Sequence, residues 1–333
     1  MDANTTHLNN QACYISEIRA ARELELNTEM PPEIAREADP VGSYHTGVLT
    51  PISASGLLSY EFPPRETLLS PWLPSQGLAM LHAYRGVGKT HVALGVASAV
   101  ATGGKFLTWQ AEKPRKVLFL DGEMPGVVLQ ERLRSTMRDM DKSLADNLII
   151  LTPDLQSLGM PDLATTEGQK RLEPYITNDL ALIVVDNIST LCRTGQENKA
   201  DSWQTMQAWA LNLRARGKSV MLVHHDGKNG QQRGSSKKED ILDTVIQLKR
   251  PADYNSSEGA VFEIRFTKAR GLWGEAVAAL EAKLVGDEWT TRMVEESTRE
   301  KVKALLSEGW KQKDIAEELE ISKGLVSRYA KDN

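Results

Sequence analysis

A chain of 333 residues with a formal net charge of -5 lacks the basic balance of a protein that coats duplex DNA over a broad face. Its 41% hydrophobic and 26% charged content is that of a globular chain, and no run of roughly 18 apolar residues offers a membrane span. Two cysteines, Cys13 and Cys192, make neither a disulfide framework nor a metal site, so a reducing, cytoplasmic setting is expected. Any nucleic-acid contact must then be local, through a loop, a pore or a small module.

Residues 1–61 read as an N-terminal arm and linker. The opening "MDANTTHLNNQ" lacks the basic start and apolar stretch of a signal peptide. Tyr14, Ile15, Ile18 and Ala21 fit one face of a short helix. The arm is either a loosely held tail or a segment that packs on a neighbouring subunit.

Over 62–290, apolar runs alternate with helical stretches. The runs are "GLAMLHA", "KVLFLDGE", "NLIILTP", "LALIVVDN", "SVMLVHHD", "DTVIQLKR" and "AVFEIRFTKA". Between them lie "KTHVALGVASAVATG", expected as an amphipathic helix, "VLQERLRSTMRDM" and "DSWQTMQAWALNLRARG". The fold class is α/β: a mostly parallel twisted sheet covered by helices on both faces. The later runs lie closer together and predict an antiparallel finish. Residues 297–333 change character and read as three short helices.

The stretch "AYRGVGKT" nearly matches the phosphate-loop pattern G-x-x-x-x-G-K-[ST], with Ala83 at the first glycine. It follows an apolar strand and opens a helix, the context such a loop needs to aim backbone N–H groups at an anion. Gly86 and Gly88 permit the tight path. Lys89 supplies a point charge and Thr90 a hydroxyl for magnesium. Ala83, Tyr84, Arg85, Val87 and His91 complete the candidate nucleotide-binding stretch. A small side chain is tolerated better at the first position than at the last, which lies against the phosphate.

Asp186 ends an apolar run downstream and suits the carboxylate on the magnesium side. Asp121 and Glu123 end the run after the phosphate-loop helix, at the edge where open α/β sheets bind ligands. Glu123 is the better candidate for a base that activates water. Asp121 either helps orient the site or caps the turn.

The run "FLDGEMPGVVLQERL" resembles the strand-to-helix passage of RecA-fold ring ATPases, in particular the DnaB-type replicative helicases. Within that group the chain most resembles the smaller RepA-type hexameric helicases of plasmids and other mobile elements. The resemblance spans roughly residues 62–285, and it departs from the pattern at Ala83 and in an added C-terminal segment. It implies a RecA-like core, ATP with Mg2+, Glu123 as catalytic base and Asp186 as metal residue. "SVMLVHHDGKNGQQRGSSKKEDILD" resembles a strand ending in a γ-phosphate sensor, a part for His224 or His225. "RFTKARGLWGE" fits the K-x-R-x-G pattern of DnaB-type rings, which implies that Lys268 and Arg270 reach the γ-phosphate of a neighbouring subunit. It also implies a homo-oligomer, a hexamer in such rings.

Channel-facing loops are expected at Cys192–Ser202 and Asp226–Lys238, the second carrying Lys228, Arg233, Lys237 and Lys238 for single-stranded DNA backbone. "KQKDIAEELEISKGLVSRYAKD" resembles a helix-turn-helix. Its recognition face would show Ser322, Lys323, Ser327, Arg328 and Lys331 to duplex DNA. A small protein-docking or oligomerisation element is the other reading. Glu320 stands at a turn position where glycine is often favoured. The leading expectation is a ring-forming ATPase that translocates on single-stranded DNA and separates strands. The alternatives are a nucleotide-switched DNA-binding regulator without unwinding and a strand-exchange ATPase.

Overall fold

The computed structural model describes residues 51–193, 200–227 and 239–331. The main sheet has nine strands: β1 (Leu78–Ala83), β2 (Lys116–Asp121), β3 (Leu148–Leu151), β4 (Leu180–Asp186), β5 (Ser219–His225), β6 (Thr244–Lys249), β7 (Val261–Ala269), β8 (Leu280–Val285) and β9 (Glu288–Met293). Their spatial order is β9-β8-β7-β6-β1-β5-β4-β2-β3. The first six run parallel, and β7, β8 and β9 add on antiparallel. Every apolar run expected as a strand is one. β8 and β9 are not foreseen, because an edge hairpin such as "LEAKLVGDEWTTRM" alternates polar and apolar residues and is only half-buried.

Continuous apolar strands arise because both faces are covered. On one face Ala79, Leu81, Leu182, Val184, Met221 and Val223 pack with Val92, Val96 and Val100 of α1 (Lys89–Thr102). On the other, Leu78, Met80, Ile183, Val185, Val220 and Leu222 pack with Met206, Ala210 and Leu213, which belong to the helix Ala200–Ala215. A second helix, α2 (Gly126–Thr136), lies beside α1. The expected amphipathic character of α1 is corrected. Nearly all of its residues are buried, because it lies between the sheet and the cover formed by α2 and residues 142–147. Its many alanines let that cover approach closely.

The sheet reverses direction of growth at β1. The chain passes outward to β2 and β3, returns through β4 and β5, then crosses to β6. Ligands of open α/β sheets bind at the carboxyl ends of strands at such a switch point. Register aligns those ends: Ala83 pairs with His225, and Asp121 with Asp186.

The C-terminal residues form three helices, α4 (Val294–Ser307), α5 (Gln312–Glu318) and α6 (Lys323–Lys331); α3 is the helix Ala200–Ala215. Val302, Ile315, Ala316, Leu319, Val326 and Tyr329 bury against one another as their own small core. The left-handed residue of the turn is Glu320 itself, at φ 51. No helix among the described residues is long and apolar enough to cross a membrane.

Candidate nucleotide site

Ala83 ends β1 without a left-handed backbone, so a methyl group there meets no conformational penalty. The left-handed steps fall on Gly86, at φ 76, and Gly88, at φ 127. A Cβ at Gly88 would stand 2.8 Å from the Phe262 ring. Glycine is therefore required at the last position of the loop and not at the first.

Lys89 is buried and folded back on its own loop. Its Nζ donates to the carbonyls of Ala83 and Tyr84, each at 3.0 Å. Burial pulls its pKa down to about 8, while the charges of Asp186, Asp226 and Glu123 oppose that fall. Tyr84, Arg85 and Gly86 are exposed at the loop's crest, and Val87 is tucked in. His91 turns toward Trp289, ring centroids 6.1 Å apart. Burial and the Arg132 charge take its pKa down to about 4, so it is a neutral packing residue here.

Asp186 is buried, and burial pushes its pKa up to about 7 against the favourable Thr90 hydroxyl beside it. Among the described residues its Oδ2 has no hydrogen-bond partner. A buried carboxylate oxygen without a donor asks for a cation. Among the described residues no cluster of three His, Cys, Asp or Glu could by itself hold a metal. Asp186 and Thr90 fit Mg2+ instead, which binds one or two protein oxygens and takes the rest from phosphates and water.

Asp121 caps the turn. Its Oδ1 accepts from the main-chain N–H of Glu123 at 3.2 Å and of Met124 at 3.1 Å, and its Oδ2 accepts from Thr152 Oγ1 at 3.2 Å. Burial raises its pKa. The cap leaves Glu123 exposed at the mouth of the site, where Asn187 Nδ2 donates to its Oε2 at 3.0 Å. Asn187 was missed in the sequence reading, although it directly follows Asp186.

The two histidines part company. His224 pairs with His82, and His225 with Ala83. Strand alternation therefore puts His225 on the α1 face with the phosphate loop and Asp186, and His224 on the opposite, fully buried face.

Lys268 and Arg270 are not brought to Lys89 of the same chain. Ala269 pairs with Thr244 and Thr244 with Ala79, at the far edge from Ala83. There Lys268 Nζ donates to the Glu239 carbonyl, and Arg270 Nη2 donates to that of Asp240 at 2.8 Å. A different cation reaches the loop: Arg250 Nη2 donates to the Gly86 carbonyl at 3.1 Å, with its guanidinium 4.4 Å from the Tyr254 ring centre. Neighbouring Lys249 pairs with Glu320 at 3.0 Å. Sequence reading passed over Arg250, whose only local signal is its place just past the end of an apolar strand.

Of the nucleic-acid candidates, Lys228, Arg233, Lys237 and Lys238 lie outside the described residues. Ser322 caps α6, its Oγ accepting from Leu325 N at 3.2 Å. Lys323, Arg328 and Lys331 are exposed on α6, and Ser327 is half-buried.

The profile of the family described as AAA domain matches residues 45–231. No curated protein matches the chain. Among solved structures, a KaiC-like protein of the hyperthermophilic archaeon Pyrococcus horikoshii OT3 is similar at 15% identity and a TM-score of 0.49, covering 69% of this chain and 99% of that one.

Proposed function

Because this chain belongs to the AAA domain family, with a RecA-like phosphate-loop core, we propose that it is a ring-forming ATP-dependent translocase and helicase on single-stranded DNA. Its setting in this reading is cytoplasmic, in replication of a mobile genetic element, as a homo-oligomer, a hexamer by resemblance to RepA-type rings. The observation that carries the reading is the division of charges over the sheet. Lys89, Thr90, Asp186 and Glu123 converge at one edge, whereas Lys268 and Arg270 stand at the other. A protomer so divided has half of a site at each side, and a neighbouring copy supplies the missing half.

The residues act as follows in this reading. Lys89 leaves its carbonyl rest for the β- and γ-phosphate oxygens of ATP, and the main-chain N–H groups of 86–90 face the anion. Thr90 and Asp186 hold Mg2+, which when bound neutralises charge on the phosphates. Glu123, steadied by Asn187, accepts a proton from the attacking water. His225 senses the γ-phosphate from the α1 face. Arg270 and Lys268 of the neighbouring copy stabilise charge on the transferred phosphoryl, a contribution worth about 10³–10⁵ in rate where an arginine finger acts. Lys228, Arg233, Lys237 and Lys238 contact the backbone of single-stranded DNA in the ring channel, and α6 contacts duplex DNA at the loading site.

The second reading, a nucleotide-switched DNA-binding regulator, is favoured by one contact. The helix-turn-helix residue Glu320 is ion-paired to Lys249, next to the Arg250 that holds the phosphate loop. A forked-duplex strand-displacement assay with wild type and Lys89→Ala separates the two. Opening of the fork by wild type alone supports the helicase. DNA-stimulated hydrolysis without opening under any loading condition favours the switch.

A further inference from the structure

His82 and Asp226 stand behind the phosphate loop. They occupy the sheet face opposite α1, in line with Leu78, Met80, Val220 and Leu222. Both are buried, at 4% and 3% exposure. Buried acids and imidazoles are costly to desolvate, and aliphatic neighbours on the same rows show that this face accepts apolar residues. A polar pair kept there calls for a role beyond packing.

Their hydrogen bonds suggest one. The His82 Nδ1–H donates to Asp226 Oδ1 at 2.8 Å. The Asp226 main-chain N–H donates to the Ala83 carbonyl at 2.9 Å. That same carbonyl accepts Lys89 Nζ at 3.0 Å. One oxygen at the root of the phosphate loop thus receives both Asp226 and the lysine that would grip the phosphates. The His82 Nε2, also buried, makes no hydrogen bond among the described residues, so Asp226 is the partner that fixes the ring.

We propose that His82 and Asp226 are a positioning pair for the nucleotide site: His82 orients Asp226, and Asp226 holds the Ala83 carbonyl on which Lys89 rests. The pair rests on the reading of residues 83–91 as a nucleotide site. Asp226 is also one of the acids whose charge favours the Lys89 ammonium. Loss of either partner lets the loop's first peptide shift, and the resting place of Lys89 shifts with it. The effect therefore falls on nucleotide binding more than on the chemical step.

The test compares full-length wild type with Asp226→Ala, His82→Ala, Asp226→Asn and His82→Gln. Three quantities are read: the Kd for a fluorescent mant-ATP, and the KM and kcat of ATP hydrolysis. The alanine variants are expected to raise Kd and KM at least about fivefold, the size of one lost hydrogen bond, with a smaller change in kcat. Asp226→Asn keeps an oxygen for the His82 N–H but loses the charge that favours the Lys89 ammonium, so its Kd and KM are expected to fall between those of wild type and Asp226→Ala. Folded alanine variants with a lowered Tm but wild-type Kd and KM would make the pair merely structural and overturn the proposal. If the alanine variants do not fold, His82→Gln, which puts no N–H at the Nδ1 position, is expected to raise Kd at least about fivefold, and a wild-type Kd in that variant overturns the proposal. Wild type that binds mant-ATP without hydrolysing ATP sinks the ATPase reading alone, since Kd still judges the pair. Wild type that binds no mant-ATP sinks both.

Discussion

Asn187 bridges the ends of β4 and β2 by donating its side-chain amide to Glu123 at 3.0 Å. The same amide's Oδ1 accepts from Thr190 N at 3.3 Å, so the group is held from both ends. An otherwise exposed carboxylate is thereby given one orientation. Glu123→Gln is expected to bind ATP while turnover falls by about 10²–10⁴. Asn187→Ala should lower kcat by roughly tenfold with ATP affinity retained, because it removes the orientation and keeps the base. Steady-state hydrolysis and mant-ATP binding check both, and near-normal turnover in Glu123→Gln would remove it as the base.

Gly88 admits no side chain, by backbone and by space. Its φ is 127, and a Cβ would lie 2.8 Å from Phe262. Gly88→Ala should lose about 1–3 kcal/mol of stability, the usual cost of backbone strain at such a site, together with nucleotide binding. Urea unfolding and mant-ATP titration measure the two effects. Glycine at position 83 is expected to change neither by more than a small amount.

Arg270 lies at the sheet edge away from its own Lys89. Arg270→Ala and Glu123→Gln should each abolish most hydrolysis. Mixed in one assembly they should recover part of it, because some boundaries then pair an intact Glu123 with an intact Arg270. Absence of recovery in assemblies shown to be mixed would count against action across the boundary.

Glu281 ties β8 to α4. It is 6% exposed and accepts from Arg292 Nε at 2.7 Å, Ser297 Oγ at 2.9 Å and Lys301 Nζ at 3.3 Å. Burial pushes its pKa up, but the Arg292 bond, the Lys301 charge and the Ser297 bond together hold it below its ordinary 4.5. A lowered carboxylate pKa contributes stability that is present above pH 4.5 and lost as pH falls through the folded-state value. Glu281→Gln should cost about 1–3 kcal/mol at neutral pH, the range for a buried charged partner left unmatched. The gap to wild type should close in acid. Unfolding midpoints against pH test this, and a pH-independent gap would contradict it.

Lys323 and Arg328 project from α6. If α6 engages duplex DNA through phosphates, Lys323→Ala and Arg328→Ala should each weaken binding uniformly across sequences and reduce the salt slope by about one. Fluorescence anisotropy over a range of salt concentrations measures both. Unchanged affinity would assign the module to protein docking.

The sequence alone determined the parallel core, because strands buried on both faces are written as unbroken apolar runs. It also singled out Lys89, Thr90, Asp186 and Glu123 as candidates, since each sits near the end of such a run or in a contiguous turn, and strand register brings them to one edge. It left β8 and β9 unread, an edge hairpin having only a half-buried pattern. Only the tertiary structure decided that Asn187 meets Glu123 across 64 positions and that Arg250 meets Gly86 across 164. It also decided which histidine faces α1 and at which edge Lys268 and Arg270 stand. The physical reason is that local pattern encodes backbone conformation and burial, whereas strand order and register bring distant residues together. Neither strand order nor register is written in any one segment.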